Sequence, residues 1–231
     1  MSSSRTTVNQ LWCAEGRSRL AASIMRLVRA VLFDIGGVLV ASPFAGFASY
    51  ERSVGLPAGS IRRINSTNPD DNAWARFERG GIDLEAFCNA FEREAATLGL
   101  TVDARSVLAS MRGGVVPAMV RALGRVHATL LTALLTNNLA PMDRTGELAS
   151  VLLPHVDVVI ESAVVGVRKP DPAFFRLACD ALEVEPVDCV FLDDLGVNCK
   201  AARQLGMHTI KVVDHIEALR QLESAIGLEL L

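Results

Sequence analysis

Apolar positions in this chain follow two different patterns. Between about Pro43 and Gly114 they recur at helical spacing; elsewhere, short apolar runs alternate with amphipathic segments. The run Ala30-Val31-Leu32-Phe33, inside an apolar stretch that begins near Leu27, has no polar alternation. Such a run predicts a parallel strand buried on both faces. From Val115 onward the rhythm becomes helix, strand, helix, strand. Helices are predicted over 117–125 and near 142–152, and strands over 130–135 and 156–160. Asp157 interrupts the last of these, which predicts a less deeply buried strand. Asp171-Pro172 reads as a cap followed by proline at the first helical position, opening a helix over 173–182. A strand over 189–192, a helix from about 198 to 205 with Gly206 as its C-cap, a strand over 208–213 and a helix over 216–226 complete the pattern. This alternation predicts an α/β protein with a doubly wound parallel sheet.

The helical stretch is rich in Ala, Arg, Glu and Phe. Its clearest helices are expected over 82–98 and around 102–111, the first capped by Asp83 and carrying Phe87 and Phe91 one turn apart. No strand is expected there. Residues 43–114 therefore read as a small helical domain inserted between the first two strands of a core made from 25–42 and 115–231. Residues 1–24 are polar and then mixed with arginines, without a continuous apolar signal core. They are expected to be a disordered extension or an upstream start that adds nothing to the fold.

Composition narrows the class. Half of the 231 residues are hydrophobic and 21% are charged, as in a globular soluble protein. A formal net charge of −3 argues against a nucleic-acid binder, and no apolar run approaches the roughly 18 residues of a membrane span. Five scattered cysteines without a C-x-x-C pair fit a reducing, cytoplasmic setting, and the four histidines show no zinc-ligand spacing. Asn65-Ser66-Thr67 matches the glycosylation pattern but, without a secretory signal, is expected to be idle.

Four polar segments carry the candidate chemistry. Asp34 ends the first strand and is followed by Gly36 and Gly37; Thr136-Asn137-Asn138 follows the 130–135 strand; Asp193-Asp194 follows the 189–192 strand; Lys169 lies in the loop 166–172. Singly, each suits a turn or a solvated surface. In a parallel sheet, however, all strand carboxyl ends share one edge, so these groups converge there. Three crowded carboxylates call for a cation, and hard oxygen ligands suit Mg²⁺. Thr136 and Asn137 add neutral donors and Lys169 a positive charge, which is the inventory for holding a phosphoryl group.

In this order, the four segments resemble the motifs of the haloacid dehalogenase-like hydrolase superfamily, from about Val28 to the carboxyl terminus. The stretches 190–198 and 201–206 are especially similar to the amino-terminal phosphatase-like domain of soluble epoxide hydrolases and to the related domain of an acyl-CoA dehydrogenase family member. The resemblance implies a Rossmann-like core with the helical insertion as a cap domain. It implies Asp34 as the nucleophile that forms an aspartyl-phosphate, Thr136 and Asn137 as phosphate-binding residues, and Lys169 as the charge between nucleophile and phosphate. Asp194, helped by Asp193, would hold Mg²⁺ with Asp34 and the carbonyl of Gly36. The expected substrate is a small phosphorylated metabolite.

One position departs from that pattern. Phosphatases of the superfamily usually carry a second Asp, the general acid and then base, two residues after the nucleophile. Here that residue is Gly36, and Glu78, Asp70 and Asp71 are the candidates to replace it. Gly36 also supports an alternative, a catalytically silent phosphate- and metal-binding or scaffolding module. Carbon–halogen hydrolysis is a third reading; it needs no metal, and the Asp193-Asp194 pair argues against it. Trp74 and Arg76 are possible substrate contacts in the insertion, but an aromatic at helical spacing reads first as core.

Overall fold

The computed structural model describes residues 27–111 and 113–231; the extension expected over 1–24 lies outside the described residues. Five strands form one parallel sheet: β1 (Ala30–Phe33), β2 (Leu131–Thr136), β3 (Val158–Glu161), β4 (Cys189–Asp193) and β5 (His208–Lys211), in the order β3-β2-β1-β4-β5. The first strand is therefore the central one. Its residues alternate between two apolar layers, which is why the run shows no polar break. Val31 and Phe33 pack with helices α6 (Pro117–His127) and α11 (His215–Ile226). Ala30 and Leu32 pack with α9 (Pro172–Leu182) and α10 (Gly196–Gln204) on the opposite face. Burying a Val, Leu or Phe side chain contributes about 1.5–3 kcal/mol, so this strand anchors the sheet from both sides.

The insertion consists of α1 (Pro43–Ser53), α2 (Ser60–Ser66), α3 (Ala73–Glu78), α4 (Leu84–Thr97) and α5 (Ala104–Ser110). Asp83 caps α4 as expected, accepting from the Ala86 amide at 2.8 Å. The five helices have their own apolar core, in which Trp74 packs edge-on to Phe47, Phe87 and Phe91. Trp74 is thus a core residue, and Arg76 pairs with Glu94 at 3.6 Å. The chain enters and leaves the insertion through two adjacent segments. The Ala41 amide donates to the Gly114 carbonyl and the Val116 amide to Leu39.

Several boundaries differ from expectation because side chains compete for the backbone. The helix expected from 142 begins only at α7 (Glu147–Leu152), since the Asp143 carboxylate accepts from the amide and hydroxyl of Thr145 and closes a turn. The strand expected from 156 begins at Val158. Asp157 accepts instead from the Thr132 amide at 2.8 Å, holding the sheet edge; edge position explains why Val158 and Val159 are only partly buried. The strand expected to reach Val213 ends at Lys211, and Leu27 is exposed. The short helices α1 to α3 and α8 (Ser162–Val165) were not expected individually.

Candidate active site

The sheet register decides what meets what. Phe33 of β1 lies beside Leu134 and Leu192, so Asp34, Thr136 and Asp193 emerge together at one edge of the sheet. The Asp34 amide still donates to the Leu192 carbonyl, while its carboxylate accepts from Ile35 at 2.7 Å. The backbone then curls, with the amides of Leu39 and Val40 both donating to the Ile35 carbonyl. Gly37 sits within this curl at φ 76°, and a Cβ there would lie 2.3 Å from Asp194 Oδ2. Only glycine permits that close approach.

Lys169 is the hub. Its Nζ lies 2.8 Å from Asp34 Oδ1, 2.8 Å from Asp193 Oδ2 and 2.7 Å from the Leu135 carbonyl, with the side chain 1% exposed. The loop that carries it is held by Asn137: the Asn137 amide group donates to the Lys169 carbonyl at 2.9 Å, and the Lys169 amide donates back at 2.8 Å. The Asn137 side chain therefore positions Lys169, a role the sequence reading did not assign to it. The Thr136 hydroxyl makes no hydrogen bond among the described residues and lies at the strand end where it was expected. Asn138, by contrast, ties β2 to β3, donating to Glu161 and accepting from Ala163.

The two aspartates of the 193–194 pair differ. Asp193 is fully buried and accepts from the Leu195 amide, from Asn198 Nδ2 and from Lys169. Those donors occupy its oxygens and tie it to Lys169. Asn198, on the first turn of α10, was missed by sequence reading; its only signal was a spacing of five from Asp193. Asp194 is half-open and accepts from Ser42 Oγ at 3.3 Å. Ser42 was also missed.

Electrostatics mark the site. Burial raises the Asp34 carboxyl above its ordinary range, opposed by Lys169 and reinforced by Asp193 and Asp194. Burial, then Asp193, pushes Asp194 up to about 6. Burial alone would lower the Lys169 ammonium, but Asp193 and Asp34 outweigh it and hold it above its usual value. One carboxylate oxygen from each of Asp34, Asp193 and Asp194 lies within 4.8 Å of the others. One lysine against three carboxylates leaves excess negative charge, and an oxygen-rich donor set of this kind fits a divalent hard cation. The residues present thus suit Mg²⁺.

Of the substitutes considered for the missing acid, Glu78 is committed elsewhere. Its Oε1 accepts from the Trp74 indole at 3.0 Å and its Oε2 from Arg168 at 2.7 Å. Asp71 forms an ion pair with Arg79 at 3.7 Å, and the Asp70 carbonyl accepts from the same arginine.

A family model for haloacid dehalogenase-like hydrolases matches residues 28–206. Acyl-CoA dehydrogenase family member 10 of Mus musculus is 36% identical over 94% of this chain, and bifunctional epoxide hydrolase 2 of Sus scrofa is 33% identical over 88%. The chain spans only 21% and 40% of those two relatives. Among solved structures, a haloacid dehalogenase-family enzyme of Bacteroides thetaiotaomicron, in complex with magnesium and inorganic phosphate, superposes with a TM-score of 0.53. That match covers 80% of this chain and 93% of the other at 21% identity, a likeness of fold. With a matched segment that runs from just before β1 to the end of α10 and so contains Asp34, Thr136, Lys169, Asp193 and Asp194, the chain belongs to the haloacid dehalogenase-like hydrolases.

Proposed function

We propose that the chain is a Mg²⁺-dependent phosphohydrolase of small phosphorylated metabolites that works through an aspartyl-phosphate on Asp34. The observation that carries this is the Asp34–Lys169 pair at 2.8 Å, set beside Asp194 and an unbonded Thr136 hydroxyl. Asp34 Oδ1 accepts from both Lys169 and Ile35, which orients the carboxylate and leaves Oδ2 to attack phosphorus as the P–O bond to the substrate oxygen breaks. That oxygen takes its proton from water, and a second water cleaves the aspartyl-phosphate to release inorganic phosphate and restore Asp34. Lys169 balances the charge of nucleophile and phosphoryl group, and Thr136 donates to a phosphoryl oxygen. Asp34, Asp194 and the Gly36 carbonyl would hold Mg²⁺, with Asp193 behind them. When bound, the ion neutralises phosphoryl charge and aligns the phosphate with the nucleophile. The magnesium and phosphate complex of the Bacteroides thetaiotaomicron fold neighbour, and similarity to flavin mononucleotide hydrolase 1 of Arabidopsis thaliana and phosphoserine phosphatase of Thermus thermophilus, support this chemistry. The four thiols among the described residues are buried and free, which suits a reducing, cytoplasmic setting.

Gly36 favours a second reading, a phosphate- and metal-binding module without turnover. Release of inorganic phosphate from p-nitrophenyl phosphate, with and without Mg²⁺, decides between them. Turnover that disappears in Asp34→Asn supports the first reading; phosphate binding with no release supports the second.

A further inference from the structure

We propose that Arg168 and Glu78 form a positioning pair that clamps the loop carrying Lys169 against the inserted helices and so fixes the ammonium at Asp34. This rests on the reading of Asp34 and Lys169 as the reacting centre. Beyond the three partners of its ammonium, Lys169 sits in a loop that is gripped from both sides. On the sheet side the grip is Asn137, at 2.8 and 2.9 Å. On the other side it is Arg168, one residue earlier, whose guanidinium donates to Glu78 Oε2 at 2.7 Å and to the Pro69 carbonyl.

Glu78 in turn is pinned. Its second oxygen accepts from Trp74 Nε1 at 3.0 Å, and the Trp74 ring is wedged among Phe47, Phe87 and Phe91. The chain of contacts runs unbroken from the aromatic core of the insertion to the residue beside the lysine. Nearby, the insertion approaches the sheet domain so closely that a Cβ on Gly80 would lie 2.7 Å from the Ala163 carbonyl.

The pair is largely buried, with Arg168 and Glu78 side chains 18% and 11% exposed. Buried ion pairs seldom add much net stability, because desolvation offsets their attraction; fixing one geometry is the use that remains. The fork of Arg168 engages two acceptors at once, which a lysine ammonium on a flexible stem does not reproduce. A lysine misplaced by about 1 Å would cost up to about 10²-fold in rate, which is the scale of effect expected from loosening this loop.

The test uses the full chain and the variants Glu78→Gln, Arg168→Met and Arg168→Lys. Glu78→Gln keeps one oxygen to accept from Trp74 but turns an amide NH2 toward Arg168, removing both the charge and the acceptor for the guanidinium. Amide hydrogen exchange over residues 166–171 is measured together with kcat and KM for p-nitrophenyl phosphate. Glu78→Gln and Arg168→Met should both speed exchange in that loop and lower kcat by about 10- to 100-fold with little change in KM. Arg168→Lys should fall between them and the wild type. The double variant Glu78→Gln/Arg168→Met should be no worse than the worse single one, since either change opens the same bridge. Unchanged exchange over 166–171, or losses that simply add, would overturn the proposal. The exchange measurement is independent of turnover, whereas Asp34→Asn tests the catalytic reading alone, so the two failures are told apart.

Discussion

Gly36→Asp tests the most unusual feature of the site, the missing proton donor beside Asp34. The structure has room for the change. A Cβ on Gly36 would meet only Pro43 Cδ, at 3.9 Å, which is ordinary van der Waals contact. The backbone there is outside the left-handed region that Gly37 occupies, so a side chain adds no strain. Replacing a compatible glycine restricts the unfolded chain and stabilises by about 0.4–1 kcal/mol, which offsets part of the repulsion from a fourth carboxylate. Stability should therefore change little. The new carboxyl would join Asp34, raised by burial, Asp193 and Asp194, and Asp194, raised by burial and Asp193 to about 6, at the same sheet edge. Its own pKa should rise likewise, toward the range in which a general acid works best near neutrality. A positioned acid is worth about 10²–10⁴ in rate, or about 3–5 kcal/mol of barrier, when the leaving group departs as a basic alkoxide. An aryl oxide leaves as a stabilised anion and gains far less. The assay compares kcat/KM for an alkyl phosphate, such as glycerol 3-phosphate, with that for p-nitrophenyl phosphate in both proteins, beside thermal melts. The alkyl-to-aryl ratio should rise at least about tenfold, a tenth of the smallest effect typical of a positioned acid, since the aryl substrate also gains a little. An equal change in both substrates, or none, would refute the reasoning and show that another group already serves as the acid.

Asp34→Asn should abolish phosphate release with the fold intact, checked by phosphate assay and circular dichroism; wild-type turnover would sink the nucleophile assignment. Mg²⁺ should raise the melting temperature, by about 2.7 kcal/mol of stability at a hundredfold excess over Kd, and excess chelator should remove activity; a melt indifferent to Mg²⁺ would count against the metal site. Gly37→Ala should cost about 1–2 kcal/mol through its left-handed backbone alone. Because its Cβ would displace the Asp194 carboxylate, it should also weaken Mg²⁺ binding, read by calorimetry. Mg²⁺ affinity should fall as pH drops through about 6, where Asp194 takes up a proton. In metal-free protein the sign reverses: with its pKa above the ordinary 3.8, the Asp194 contribution to stability is full below that value and is lost as pH rises through about 6, and Asp194→Asn should flatten that part of the melting profile.

Sequence alone determined the layer architecture. Four consecutive apolar residues at Ala30–Phe33 read as a strand covered on both sides, and the later alternation of runs and amphipathic segments predicted helices on both faces. It also determined which side chains reach the working edge, because a parallel sheet sends every strand end to the same place. Asp34, Thr136, Asp193 and Asp194 were legible for that reason, Lys169 as the lysine of a loop opening onto the same edge, and the cap of α4 by Asp83 because capping is a local interaction. What the tertiary structure decided are the divisions of labour, which depend on partners far apart in sequence. Asn137 serves the Lys169 backbone, 32 residues away, and Glu78 is claimed by Arg168, 90 residues away, instead of being free as an acid. Asp193 and Asp194 are neighbours in the chain, yet one is occupied by Lys169, Asn198 and Leu195 while the other opens toward Ser42. Even the boundaries of β3 and α7 were set by Asp157 and Asp143 accepting from donors that no periodicity reveals. Hydrophobic spacing is a local, repeated signal and survives in one dimension; the pairing of a buried polar atom is a single long-range event, chosen by register and packing after the chain has folded.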